Sequence, residues 1–325
     1  MAGVLGAALL LLCGAILVNN QRQKQSLQPQ QTQPSIQKPH REVEHEGQQY
    51  VRNFDLETVL VLGLDKYHVS SPQQFGYLND QQADLQLLLI LDHSAQTCQM
   101  LHLNRDTMTE IQRLGVSGDQ AGTFEGQLAL AHTYGSGGSD SCLNATKAVS
   151  KLLHNVPVQH YLSLTMDAVA KINDAVGGVP VEIKDDFSAV DPTLREGETV
   201  RLQGEQALTF VRARGSMEDS SNLARMERQR QYITALYGEV RRKEAEDPNF
   251  FARVLLDLKG SFQSDYSINQ LEQLVDRVNS YEFGQIYTIP GEAVQGEEFM
   301  EFYVDEDALQ ELVLELFYQP AEPEE

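Results

Sequence analysis

Basic residues are scarce in this 325-residue chain: 25 Lys and Arg stand against 47 Asp and Glu, a formal charge of -22. Over most of the surface that balance repels nucleic acid and anionic head groups, which argues against a DNA-binding role. Cysteine is scarce as well, with three residues, Cys13, Cys98 and Cys142. Because Cys13 falls in an apolar run, only Cys98 and Cys142 remain, either as one disulfide in an oxidising compartment or as two buried thiols. No H-E-x-x-H, G-x-S-x-G or G-x-x-x-x-G-K-[ST] occurs, so zincin, nucleophile-elbow and P-loop chemistry have no sequence support. No internal repeat is present.

What is there begins with an apolar run, VLGAALLLLCGAILV, at residues 4–18. With the three residues before it, this run just reaches the lower limit for a spanning helix. A basic n-region and an A-x-A-like cleavage site are both missing, so residues 1–18 are expected to form an uncleaved transmembrane anchor, a cleaved signal peptide being the alternative. Residues 19–50 are rich in Gln and Pro without apolar periodicity, which predicts a disordered linker. Residues 51–325 are left as one folded domain, large enough to bury a sizeable core.

Dense Val, Leu and Ile content predicts buried strands at 58–64, 85–91, 97–103 and 158–164. Helical spacing follows at 124–134, 142–154 and 166–176, then a strand at 179–183. A further element at 204–211 precedes a long helix over 223–242 and helices at 250–258, 268–279 and 305–317. This alternation predicts an α/β fold with helices covering a mixed central sheet. If 85–91 pairs antiparallel to 58–64, Asp84 comes beside Asp65. The DHSAQ turn then makes a hairpin, so 97–103 ends at the same rim and delivers Arg105 and Asp106 there.

In TFVRARGSMEDSSNLARMERQRQYITAL, Arg212 and Arg214 face one way on an extended backbone. Arg225, Arg228 and Gln229 are i, i+3 and i+4 on the helix that follows. Guanidinium forks suit phosphate oxygens, although the same spacing describes a solvated helix face paired with Glu218, Asp219, Glu227 and Glu239. Asp65 and Asp84 facing such a pocket suit a Mg²⁺ ion bridging phosphates, or are simple turn and cap residues. Gly135 to Ser139 reads as a flexible loop, His132 as a core residue and His68 as loop. The helices at 166–176 and 250–258 are candidates for lining an apolar slot, or ordinary core.

The ordered set VLVLGLD, AD before an apolar strand, LNRDT, LAHTYGSGG, DAVGGVPVEI, LQGEQALTFVRAR and LARMERQRQ resembles the LytR-CpsA-Psr family over residues 57–236. The resemblance implies a bacterial protein, tethered to the cell membrane by one N-terminal helix, with its domain outside the cytoplasm. It implies transfer of a glycopolymer phosphate, such as a teichoic acid or capsule precursor, from a polyprenyl-pyrophosphate carrier to peptidoglycan with Mg²⁺ or Mn²⁺. On that resemblance, Asp65 and Asp84 are the metal-associated acids, and Arg105, Arg212, Arg214, Arg225, Arg228 and Gln229 are pyrophosphate-contacting positions. Asp84, Arg105 and Asp106 become the catalytic candidates, with Asp84 or Asp106 taking the acceptor's proton. The chain departs from the family at Gln82 and Gln127, where cations are usual. Those departures leave a second expectation open, a receptor that binds polyprenyl-pyrophosphate lipids without turnover.

Overall fold

Segments such as LETVLVLGL and ADLQLLLILD are apolar on both faces of the pleat, a pattern suited to a strand covered on both sides. In the computed structural model, which describes residues 42–65, 77–115, 117–213, 222–247 and 250–321, these strands do lie in the middle of a covered sheet. The apolar run at 4–18 and the linker up to residue 41 lie outside the described residues.

In chain order the first strands are β1 (Glu42–His45), β2 (Gln48–Arg52), β3 (Leu56–Leu64), β4 (Ala83–Asp92), β5 (Thr97–Leu103), β6 (Met108–Leu114) and β7 (Gln120–Gln127). A 3₁₀ turn, Leu128–Ala131, precedes α1 (Ser139–Leu152), β8 (His160–Leu164), α2 (Met166–Ala175), β9 (Val179–Glu182) and β10 (Thr199–Leu202). Then come α3 (Glu205–Arg212), α4 (Asn222–Glu246), α5 (Phe250–Asp257), β11 (Phe262–Ser264) and α6 (Ile268–Ser280). The last elements are β12 (Glu282–Thr288), β13 (Gly291–Gln295), β14 (Met300–Val304), α7 (Glu306–Phe317) and β15 (Tyr318–Pro320).

The central sheet has the order β11-β8-β3-β4-β5-β12 and is mixed: β8 runs parallel to β3 and β12 parallel to β5, while the other pairs are antiparallel. Period-two alternation sends Val59, Val61, Leu87, Leu89, Cys98 and Met100 to one face, under α2 to α6. Leu60, Leu62, Leu88, Ile90 and Leu101 go to the other face, under α1 and α7.

This two-faced core corrects several expectations. Cys98 and Cys142 belong to the cores on opposite faces of the sheet and are both free thiols, so no disulfide joins them. Burial pushes both thiols up, Cys142 to about 12. The expected helix at 124–134 is instead the end of β7 and a single 3₁₀ turn; β7 pairs with β6, and Gly126 lies within it. The linker expected through residue 50 is already folded at Glu42. There β1 and β2 form a hairpin across Glu46 and Gly47, both at positive φ, which suits a primed turn. The hairpin is closed by β15. The Gly135 to Ser139 segment leads directly into α1, with Asn79 Nδ2 donating to the Gly135 carbonyl and Gly137 N–H to Ser141 Oγ.

Candidate functional site

The β3–β4 pairing contains an irregularity that decides where Asp84 goes. Gly63 pairs with Leu85 and Leu64 with Ala83, so Asp84 is the extra residue of a β-bulge. In a regular strand Asp84 would face away from Leu85; the bulge re-aims it to the same side. Gly63 belongs to that geometry, because a Cβ there would sit 2.9 Å from Leu85 Cβ. The rim predicted from strand order is present. Asp65 N–H donates to the Gln82 carbonyl at 3.0 Å, and Gln82 N–H donates to Asp65 Oδ1 at 2.8 Å. Arg105 donates to Asp84 through Nη1 and to Gln82 Oε1 through Nη2 at 2.6 Å.

Asp84 stands at the polar end of a slot between the sheet and helices α2, α3 and α4, whose walls are otherwise mostly apolar. Helix α4 encodes that polarity in one stripe: Arg225, Gln229, Tyr232, Ile233 and Leu236 follow each other at i, i+4, i+7, i+8 and i+11, and all line the slot. Leu208, Val211 and Arg212 of α3 and Met166, Val169 and Ile172 of α2 complete it. The expectation that α2 lines an apolar slot therefore holds; among the described side chains of α5 none is in the lining. The cavity is about 100 Å³, smaller than the roughly 150 Å³ of a dry engineered cavity that binds benzene. It takes a short segment of an aliphatic chain, and a longer segment requires the helices to part.

Of the predicted phosphate contacts, Arg212, Arg225 and Gln229 reach the slot. Arg212 is the exposed last residue of α3, so it projects from a helical turn rather than from the extended backbone expected. Arg214 lies outside the described residues. Arg225 is 4% exposed; its Nη1 is 3.6 Å from Asp84 Oδ2, and it also donates to Asn222 Oδ1. Asn222 Nδ2 in turn donates to Asn104 Oδ1, linking the start of α4 to the loop that carries Arg105. This Asn–Asn–Arg chain has no local sequence signature, because it joins residues more than a hundred positions apart.

Two predicted site residues are placed elsewhere. Arg228 is buried; its Nη1 donates to Asp185 Oδ2 at 2.8 Å, its Nε to the Phe210 carbonyl at 3.3 Å and its Nη2 to the Ala213 carbonyl. It caps the C-terminal end of α3, where orphan carbonyls attract a cation, and holds Arg212 in place from behind. Asp106 is 4% exposed and not part of the slot wall; Arg105 Nε is 3.3 Å from its Oδ1, and Gln127 Nε2 donates to the same oxygen at 3.1 Å. It orients Arg105. Gln127 also donates to the Met300 carbonyl at 2.7 Å.

His102 is buried beneath α4, and burial, with Arg230 and Arg225 nearby, lowers its pKa to about 3. It remains neutral and adds no charge to the site at ordinary pH. His132 is core, as expected, and burial lowers it to about 4. Among the described residues no cluster of three His, Cys, Asp or Glu side chains is arranged to hold a metal by itself.

Residues 17–317 match the family model described as the LytR_cpsA_psr family. The chain belongs to the LytR_cpsA_psr family. Among similar members, it is 30% identical over 154 residues to the polyisoprenyl-teichoic acid–peptidoglycan teichoic acid transferase TagU of Halalkalibacterium halodurans, covering 47% of this chain and 46% of that one. TagU of Oceanobacillus iheyensis is 27% identical over 288 residues, covering 85% and 79%. The chain thus spans about half the length of the first of these LytR_cpsA_psr relatives and most of the second. The structure of TagT bound to LI-WTA superposes with a TM-score of 0.60 at 22% identity, covering 81% of this chain and 90% of that one. That likeness establishes a shared LytR_cpsA_psr fold.

Proposed function

We propose that this LytR_cpsA_psr member transfers a glycopolymer phosphate, of the teichoic acid type named for its relatives, from a polyprenyl-pyrophosphate carrier to peptidoglycan. The observation that carries the reading is one slot, mostly apolar and ending in Asp84, Arg212, Arg225 and Gln229, with Arg105 bonded to Asp84 from outside the wall. Such a slot suits a ligand that is hydrocarbon at one end and pyrophosphate at the other.

Arg212, Arg225 and Arg105 hold the phosphates by charge-assisted hydrogen bonds. In the free protein Arg105 and Arg225 rest on Asp84, so phosphate arrival exchanges one anionic partner for another. An acceptor sugar hydroxyl attacks the phosphorus that carries the glycan. The new bond is oxygen to phosphorus, the bond to the bridging oxygen breaks, and polyprenyl phosphate leaves. Of the two acids considered for the hydroxyl proton, Asp84 lines the slot and Asp106 does not, so Asp84 takes that role. Positioning and electrostatics supply most of such chemistry.

The donor set suits a hard divalent cation. Asp65 and Asp84 offer carboxylate oxygens at one rim and would hold a Mg²⁺ ion together with the substrate phosphates. A bound Mg²⁺ or Mn²⁺ there supplies charge neutralisation at the phosphates. Among the described residues no helix is long and apolar enough to cross a membrane; the anchoring role belongs to residues 1–18, supported by their apolar run and by the mostly apolar slot. It puts the domain at the outer face of a bacterial cell membrane.

Full-length protein incubated with a radiolabelled polyprenyl-pyrophosphate glycan and peptidoglycan is expected to give a phosphodiester-linked product. Arg212→Ala combined with Arg225→Ala is expected to abolish it. A normal yield from the double variant refutes the assignment. Tight lipid binding without product supports instead the receptor reading, which Gln127, turned to Asp106 and the Met300 carbonyl where a cation is usual, favours.

A further inference from the structure

The β13–β14 hairpin is built like a half-covered strand pair whose outer side is exposed among the described residues. Phe302 is 2% exposed and packs into the α1–α7 core. Period-two alternation then puts Tyr303 and Glu301 on the opposite face, across from Glu292 and Val294 in register. Val294 is 41%, Tyr303 43% and, at the tip, Phe299 42% exposed. Three large apolar side chains on one small hairpin, rimmed by polar groups, are the pattern of a recognition surface rather than of scattered exposure.

The hairpin is joined directly to the candidate site. Phe302 N–H donates to the Asp106 carbonyl at 2.9 Å, and Thr107 bridges Phe302. Gln127, bonded to the Asp106 carboxylate, reaches the Met300 carbonyl. Asp106 in turn flanks Arg105. The backbone of the hairpin is therefore tied to the loop that carries Arg105 and Asp106.

The apolar face locates the surface, and the charge around it selects the partner. From Val278 to the C-terminus the chain has thirteen Asp or Glu and no Lys, Arg or His. On the hairpin itself these include Glu292, Glu297, Glu298 and Glu301, and Glu301 accepts from the Tyr303 hydroxyl at 2.6 Å. Glu301, and Glu125 of β7 beside it, push that hydroxyl's pKa up, so β7 adds its charge to the same area. A phosphate-rich polymer is repelled here, while it is attracted to the arginines on the other side of Asp106.

We propose that the outer face of the β13–β14 hairpin, Val294, Phe299 and Tyr303 among Glu292, Glu297 and Glu301, binds the peptidoglycan acceptor, and that it selects strands whose sugars have lost N-acetyl groups and bear protonated amines. This rests on the phosphotransferase reading for the word acceptor, but not for the binding itself. The two sides of Asp106 then sort the substrates by charge, donor phosphates to the arginines and acceptor amines to the carboxylates, which keeps a finished anionic polymer from occupying the acceptor side.

The test is titration of full-length protein in detergent with a glucosamine hexamer, its fully N-acetylated counterpart and a prenyl pyrophosphate. The glucosamine hexamer is expected to bind more tightly than the N-acetylated one and to weaken as salt rises. Phe299→Ser with Tyr303→Ser is expected to weaken it at least tenfold and to leave prenyl pyrophosphate affinity unchanged. Glu297→Gln with Glu301→Gln, which leaves the apolar face intact, is expected to erase the preference for the amine. Equal hexamer binding by the Phe299/Tyr303 variant overturns the inference, as does equal binding of the two hexamers by the wild type. Conversion from dimer to monomer by the same variant also overturns it, since the face then belongs to a second copy. A wild type that binds glucosamine hexamer but no prenyl pyrophosphate supports the surface and sinks the phosphotransferase reading.

Discussion

Arg228 and Arg212 sit sixteen positions apart in one arginine-rich stretch, and the structure gives them opposite work. Replacing Arg228 by Ala removes a guanidinium that is 4% exposed from Asp185 and from two carbonyls at the end of α3. Hydrogen bonds to charged groups contribute about 1.5–3 kcal/mol each. Asp185 is 34% exposed and regains water, so the net loss is about 2–4 kcal/mol rather than the full cost of a buried unpaired charge. For a domain of this size that lowers Tm by roughly 5–10 °C. Arg212→Ala removes an exposed side chain from the slot mouth, leaves Tm unchanged and weakens pyrophosphate binding about tenfold, near 1.4 kcal/mol. Differential scanning calorimetry and titration with a prenyl pyrophosphate read the two effects separately. Asp185→Asn, remote from the slot, should shift Tm in the same direction as Arg228→Ala by a smaller amount. An Arg228→Ala protein with normal Tm and lost affinity refutes the placement of Arg228 as the cap of α3.

Val169→Trp fills the slot from α2 without touching its polar end; prenyl pyrophosphate affinity should fall to that of inorganic pyrophosphate, measured by competition, with inorganic pyrophosphate binding intact. Gly135→Ala puts a Cβ 2.3 Å from Ser141 Oγ and 3.0 Å from its Cα, an overpacking that should cost about 1–3 kcal/mol in denaturant unfolding. His132, lowered from 6.5 to about 4 by burial, binds its proton in the unfolded chain before it does in the folded one. Its contribution to stability is therefore complete above pH 6.5 and is lost as pH falls towards 4. His132→Leu should flatten the fall of Tm over that window; an unchanged slope contradicts the buried neutral imidazole.

Much of this was legible in the sequence where local pattern and global fold agree. The apolar runs of β3, β4 and β5 mark three strands, and the antiparallel pairing supposed for them, which the structure has, brings Asp65, Asp84 and Arg105 to one rim. The helices α1, α2, α4, α6 and α7 follow their apolar spacing to within a few residues. Legibility failed where a tertiary contact overrides the local signal. Residues 124–134 have helical spacing, but pairing to β6 takes their start into a strand. The hairpin of β1 and β2 reads as linker because its partner β15 is at the other end of the chain. The bulge at Asp84 depends on a close approach to Gly63 that periodicity does not contain. Arg228 and Arg225 look alike on a helical wheel; only the position of α3 sends one to the slot and the other to a helix end.

The central claim is that one slot holds hydrocarbon and pyrophosphate together. Calorimetric titration of the full-length protein with a prenyl pyrophosphate, the corresponding prenol and inorganic pyrophosphate tests it most directly. Binding of the joined ligand should be tighter than that of either part by more than tenfold, and Arg212→Ala with Arg225→Ala should reduce it to the affinity of the prenol. Equal affinities for the prenyl pyrophosphate and inorganic pyrophosphate, or no effect of the double substitution, would contradict the account.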